Sequence, residues 1–183
     1  MIGYILMKKL FSEIPCIKGE RITIKKLTPD CANGLRELTE DDAVYRFLPA
    51  ILFERKYDAD YVIERMYDEC LKESLILGVF SDGEFCGLAE IYGYNEFLSK
   101  ANVGFRALRR YWGRGIASEA SALLIDYLFS ETDIKTIGAS VMSENKASEK
   151  VLKKLGFERL PAAEYEDWGL EKLTLADKWI LKK

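Results

Sequence analysis

The residues best able to do chemistry in this chain crowd into one stretch. Between Phe97 and Ser118 stand five cations, Lys100, Arg106, Arg109, Arg110 and Arg114, and no anion. The whole chain of 183 residues carries a net charge of −3, so the local excess points to an anion site. Gly113 and Gly115 lie between a strand pattern ending near Ala107 and a helix pattern beginning near Ile116. A helix start offers unpaired backbone N–H groups and a partial positive charge. Glycines let a phosphate come close to that backbone. The spacing Arg110-x-x-Gly113-x-Gly115-x-Ala117 is not a dinucleotide GxGxxG turn, because Ser118 holds the sixth position, and no Walker A Gly-Lys-Ser/Thr is present. A solvated glycine turn between strand and helix is the plain alternative.

Other chemistries are excluded by composition. The chain has no histidine, which removes Ser-His and Cys-His mechanisms and every His-ligated metal. Cysteines stand at 16, 31, 70 and 86 with no CxxC pair; they read as reduced, buried thiols, and no metal site is expected. A sequence pI near 5.3 argues against a nucleic-acid binder, which is usually basic. The apolar stretch Met1 to Met7 precedes Lys8 and Lys9 instead of coming after them, unlike a signal peptide. No uncharged run reaches the ~18 residues of a membrane span. A cytoplasmic protein is expected, with either Met1 or Met7 as its start.

Periodicity gives the elements that must position this chemistry. Residues 21–27, 75–80, 85–94, 100–107, 135–142, 159–165 and 173–181 read as strands. Ser81-Asp82-Gly83 is a hairpin turn. Thr28-Pro29-Asp30 opens a helix with Thr28 as cap, and Asp58 opens another with Val62, Met66 and Cys70 on its apolar side. A one-faced stripe predicts a helix from Ile116 to Phe129, and a shorter one runs from Lys146 to Leu155 with Gly156 as its stop. Residues 1–183 form a single domain: one mixed α/β sheet with helices on its faces.

Two segments in this order carry a resemblance. The first is Tyr111-Trp-Gly-Arg-Gly-Ile-Ala-Ser-Glu-Ala120; the second is Asn145-Lys-Ala-Ser148, with Lys154-Leu-Gly-Phe157 closing its helix. Together they resemble the GNAT superfamily of N-acetyltransferases, and most of all its RimJ/RimL branch, which acetylates N-terminal amines of ribosomal proteins. Ile14-Pro15 and Glu20-Arg21-Ile22 resemble that branch's opening strand. The resemblance implies the GNAT acyl-CoA N-acyltransferase fold, with a central mixed sheet of about seven strands. It implies that acetyl-CoA lies where strands 101–107 and 136–142 splay apart. Phe105 and Ala107 would then bond the pantetheine arm. The pyrophosphate would sit on the N–H groups from Arg110 to Ile116, across Gly113, Arg114 and Gly115. Arg110 and Arg114 side chains would add charge. Asn145 would bond the pantetheine amide, unless it only caps its helix. Lys150 and Lys153 would reach phosphates, unless they only face solvent.

The resemblance also leaves gaps. Many family members carry a tyrosine acid seven residues after the motif asparagine; here Leu152 stands there, and Ser148 matches the branch's serine. Ser148 is thus the candidate acid, or simply an early helix residue. The strand glutamate common in the family is replaced by Asn102, which leaves Glu90 as the candidate base, or as a solvent-facing strand residue. Backbone N–H near Phe105–Arg106 would stabilise the oxyanion. Residues 36–69 hold ten anions and five cations, either an acidic acceptor groove or a solvated face. The resemblance therefore implies transfer of acetyl from acetyl-CoA to an amine, foremost a protein N-terminus. An aminoglycoside or polyamine acceptor, or a non-catalytic acyl-CoA-binding module, is the alternative. No membrane or direct nucleic-acid partner is expected, and the chain would act as a monomer or homodimer.

Overall fold

The computed structural model describes residues 13–49, 53–71 and 73–183; the Met1–Met7 stretch lies outside them. Strand β1 (Ile17–Lys18) leads to β2 (Ile22–Lys25), then helices α1 (Ala32–Glu40) and α2 (Asp42–Tyr45). Helix α3 covers 59–70, and after it come strands β3 (Ser74–Ser81), β4 (Glu84–Asn95) and β5 (Lys100–Ala107). The second half runs α4 (Ile116–Glu131), β6 (Thr136–Met142), α5 (Lys146–Lys154), β7 (Glu158–Arg159), β8 (Glu164–Glu166) and β9 (Thr174–Lys182). The expected β3–β4 hairpin forms around Asp82 (φ 51°) and Gly83 (φ 84°), the left-handed pair that a two-residue turn requires.

The nine strands of the described residues join one mixed sheet in the order β1-β2-β3-β4-β5-β6-β9-β7, with β8 also on β9. The count exceeds the expected seven for two local reasons. The two-residue β1 is too short to show a periodicity. The predicted strand 159–165 breaks into β7 and β8 around Pro161, which has no N–H to give a ladder. Strands β5 and β6 are parallel, so their connection must cross over the sheet, and α4 is that crossover.

Each face of the sheet has its own core. On one, Leu75, Leu77, Ile91 and Ile137 pack with Leu124 and Leu128 of α4 and Leu152 of α5. On the other, Leu88 and Phe80 pack with Leu35 and Leu38 of α1 and Val62 and Tyr67 of α3. Two expectations are corrected by this packing. Thr28 makes no side-chain cap; its hydroxyl bonds Asp30 Oδ2 at 3.3 Å. In α3 the buried residues are Ala59, Val62, Ile63 and Tyr67, while Met66 and Cys70 of the expected stripe are only half-buried. Val62–Met66 winds as a π turn, and its extra residue rotates the remainder of the helix. Of the four thiols, Cys31 and Cys86 are buried, Cys70 is half-buried and Cys16 is exposed.

Candidate active site

The sheet opens in its middle. β5 and β6 pair only where Lys100, Ala101 and Asn102 face Thr136, Ile137 and Gly138. Beyond Asn102, β5 presents an edge that β6 does not cover. The Leu108 N–H bonds Cys86 O at 2.9 Å, on the β4 side. By the alternation of a strand, Arg106 shares that side, while Phe105 and Ala107 turn their N–H and C=O groups to the open edge. The Ala107 carbonyl is already taken by Trp112 Nε1 at 2.9 Å, so its N–H is the group left for a ligand. An oxyanion donor on this edge is therefore Phe105 N–H and not that of Arg106.

The glycine turn comes next along the chain. A short 3₁₀ turn covers Arg109–Tyr111. Gly113 (φ 73°) and Gly115 (φ 80°) are left-handed, a shape that side chains resist. A Cβ on Gly113 would meet nothing within 4 Å, so that position stands open. Gly115 caps α4 without any side-chain bond, and the first intrahelical bond runs from Glu119 N to Gly115 O at 3.0 Å. The N–H groups of Ile116, Ala117 and Ser118 are thus left for an anion.

The cationic surplus read from sequence is largely neutralised in space. Arg109 pairs with Asp41, Arg110 with Glu37, and Arg106 with Glu54 and Glu90. Arg114 has no acidic partner among the described residues, and its guanidinium lies 5.6 Å from the Tyr111 ring centroid. The same pairs empty much of the expected acidic groove: of the ten acids in 36–69, Glu37, Asp41, Asp42, Glu54, Asp58, Asp60 and Asp68 all sit in ion pairs.

On α5, Asn145 Oδ1 accepts from Ser148 N at 3.1 Å, so the cap role is realised. The half-buried Ser148 hydroxyl has no hydrogen bond among the described residues. Leu152 is 8% exposed and packs into the core. Lys153 and Lys146 bracket Glu149 at 2.7 and 3.0 Å, and their hydrogen bonds hold its carboxyl down at about 2. Lys153 is therefore engaged, whereas Lys150 is exposed and has no ion pair among the described residues.

Glu90 stands on the opposite face of the sheet, the face of Leu88, so the gap separates it from α5. Its Oε1 is held by Arg106, which also gives Nη2 to Glu54 Oε1 at 3.0 Å and Nη1 to Tyr45 OH at 3.4 Å. Arg106 and Glu54 side chains are 1% and 0% exposed, Glu90 18%. Burial pushes the Glu90 carboxyl above its ordinary range; Arg106 opposes that and Glu54 adds to it. Burial also pushes the Tyr45 phenol up to about 12. Glu90 Oε2 lies 3.8 Å from where a Cβ on Gly104 would stand, and Tyr92 Cε1 3.6 Å from it; the missing side chain leaves space beside both. Asn102 sits next to that space, and a Cβ on Gly138 would come 2.3 Å from its Oδ1.

Sequence reading missed Glu54 and Tyr45, which no spacing links to Glu90. It also missed Glu166, which accepts from Ser140 Oγ at 2.6 Å and Trp168 Nε1 at 2.9 Å and pairs with Lys178. Burial, then the charges of Glu90 and Glu166, raise the Tyr92 phenol.

An open strand edge beside an uncapped glycine helix start fits a ligand with an amide-bearing arm and a pyrophosphate, as acetyl-CoA has. Comparison with known proteins agrees. An acetyltransferase (GNAT) domain family matches residues 21–158. The uncharacterized N-acetyltransferase p20 of Bacillus licheniformis is 29% identical over 143 residues, 76% of this chain and 80% of that protein. The spermidine N(1)-acetyltransferase of Escherichia coli K12 is 25% identical over 138 residues, 74% and 72% of the two chains. The structure of Mycobacterium smegmatis RimJ in complex with CoA-disulfide superposes with a TM-score of 0.78 at 18% identity, covering 92% of this chain and 86% of that one. The chain belongs to the GNAT family of acetyltransferases, which draw their acetyl group from acetyl-CoA.

Proposed function

We propose that this enzyme acetylates a protein N-terminal α-amine, with acetyl-CoA entering the β5–β6 gap and its pyrophosphate on the Gly113–Ser118 turn. The observation that carries the acceptor reading is the state of Glu90. Tied to Arg106, and with no histidine in the chain, it is a weak proton acceptor working through water. An α-amine has a pKa of about 8 and is already neutral to roughly 10% at pH 7, whereas a lysine amine near 10.4 is neutral to well under 1%. A weak base is enough for the first and not for the second. The neutral nitrogen attacks the thioester carbonyl carbon, and its proton passes by water to Glu90. Phe105 N–H faces the oxygen that gains charge. The C–S bond breaks, and the Ser148 hydroxyl, on the other side of the gap, donates a hydrogen bond to the leaving sulfur, which takes its proton from water. Asn145, Ala107 N–H, Lys150, Arg110 and Arg114 line the path of the arm and its phosphates in this reading. The same reading has the enzyme at work in the cytoplasm; no described helix is long and apolar enough to cross a membrane.

A polyamine acceptor is the second reading, favoured by the likeness to spermidine N(1)-acetyltransferase. The pairing of most acids in 36–69 counts against it. Thiol release from acetyl-CoA, measured with peptides starting in Ala or Ser, spermidine and an aminoglycoside, separates these. Turnover on the peptides is expected; turnover confined to spermidine or the aminoglycoside overturns the N-terminal reading. In the same assay Ser148→Ala should lower kcat by up to about 100-fold without moving the acetyl-CoA KM. An unchanged kcat returns Ser148 to a purely structural place in its helix.

A further inference from the structure

The proposed phosphate turn has an acid beside it. Glu119 stands in the first turn of α4, its side chain 17% exposed. A carboxylate there favours the helix through its dipole but repels a phosphate on the same N–H groups. Arg21, 98 residues earlier at the start of β2, meets both demands. Its backbone N–H bonds Glu119 Oε1 at 2.9 Å, and Nε and Nη2 reach Oε2 at 2.8 and 2.7 Å. Nη1 donates to the Arg114 carbonyl at 3.2 Å, inside the turn itself. Nη2 lies 3.3 Å from where a Cβ on Gly115 would stand.

We propose that Arg21 is a positioning residue of the acetyl-CoA phosphate site. It cancels the charge of Glu119 and ties the Arg114–Gly115 segment to β2, so that the N–H groups of residues 116–118 face an anion without a bare carboxylate behind them. The inference rests on the reading that the pyrophosphate lies on this turn. Its own content is that a side chain outside the turn governs the turn's affinity.

The test is calorimetry on the full chain with two probes: CoA, and pantetheine, which has the same thiol arm and no phosphate. Arg21→Ala should weaken CoA by roughly tenfold and leave pantetheine unchanged. Arg21→Ala with Glu119→Gln should recover most of the loss, since no charge is then left uncompensated. Arg21→Lys, which keeps the charge and loses the fork, should fall between. CoA binding to Arg21→Ala as tight as wild type, or equal losses for CoA and pantetheine, overturns the proposal. The double substitution keeps the test available if the single one folds poorly, because it too must bind CoA nearly as wild type. Gly113→Val is the reference: if it binds CoA as wild type does, the phosphates lie elsewhere and the site reading itself fails. If it loses CoA while Arg21→Ala does not, only the Arg21 inference fails.

Discussion

The proposed phosphate turn and the Arg106 cluster lie close in sequence and are built in opposite ways. The turn works with main-chain N–H groups and two left-handed glycines within ten residues, and its flanking arginines sit in solvent paired to surface acids. The cluster works with side chains from Tyr45, Glu54, Glu90 and Arg106, shut almost wholly from water. An anion site made of backbone has dipoles already in place and tolerates solvent. A buried ion group is costly to desolvate, and it persists only because each member answers another. The first should therefore be fragile in ligand affinity, the second in folding.

The largest expected effect breaks the second region. Arg106→Leu leaves two carboxylates facing each other and should cost about 3–5 kcal/mol of unfolding free energy, measured by urea denaturation. Without Arg106 the Glu90 carboxyl, already raised by burial, loses the charge that opposes that rise and can take up a proton, so the loss should be smaller at pH 5.5 than at pH 8. A loss independent of pH would show that packing, not charge, is at stake. Next is the turn. Gly113→Val should raise the CoA dissociation constant by roughly 100-fold while lowering stability by only about 1–2 kcal/mol, the strain of a branched residue at positive φ. Unfolding on the scale of Arg106→Leu would erase the contrast between the regions. The smallest effect sharpens the chemistry of the cluster. Glu90→Gln should lower kcat by about tenfold between the raised pKa of Glu90 and that of the amine, with the deficit shrinking as pH rises and the amine deprotonates unaided. Superimposed pH–rate profiles would remove Glu90 from the reaction.

The same contrast explains what could be read from the chain in advance. The turn is local, so Gly113, Gly115 and the helix stripe from Ile116 announced it, and the strands leading to it were placed by their alternation. Asn145 likewise advertises a cap by residue type. The charges misled, because a count along the chain cannot see that Glu37 and Asp41 fold back onto Arg110 and Arg109. Glu54 and Glu166 could not be found at all. Each is an ordinary acid in a stretch without a motif, and its partners lie 52 residues away for Glu54–Arg106 and 26 for Glu166–Ser140. Only the packing of distant segments brings such pairs together: a 3₁₀ turn at 53–55 set against β5 for Glu54, and strands on either side of β9 for Glu166 and Ser140.

The π turn at Val62–Met66 sets the phase of the rest of its helix. An α-helix advances about 100° per residue, so one surplus residue in a turn displaces the downstream face by about that angle and leaves the axis nearly straight. Tyr67 owes its place beside the core to this offset: it is 5% exposed, with its phenol in the field of Glu54 and Arg106. Deleting one residue within 62–66 would barely shorten the helix. It would let the turn close as ordinary α-helix with Tyr67 four residues after Val62 and still on the core, whereas winding all five residues as α-helix would swing Tyr67 off the core by about 100°. The spare residue is an angular setting, and the Arg106 cluster is what it is set against.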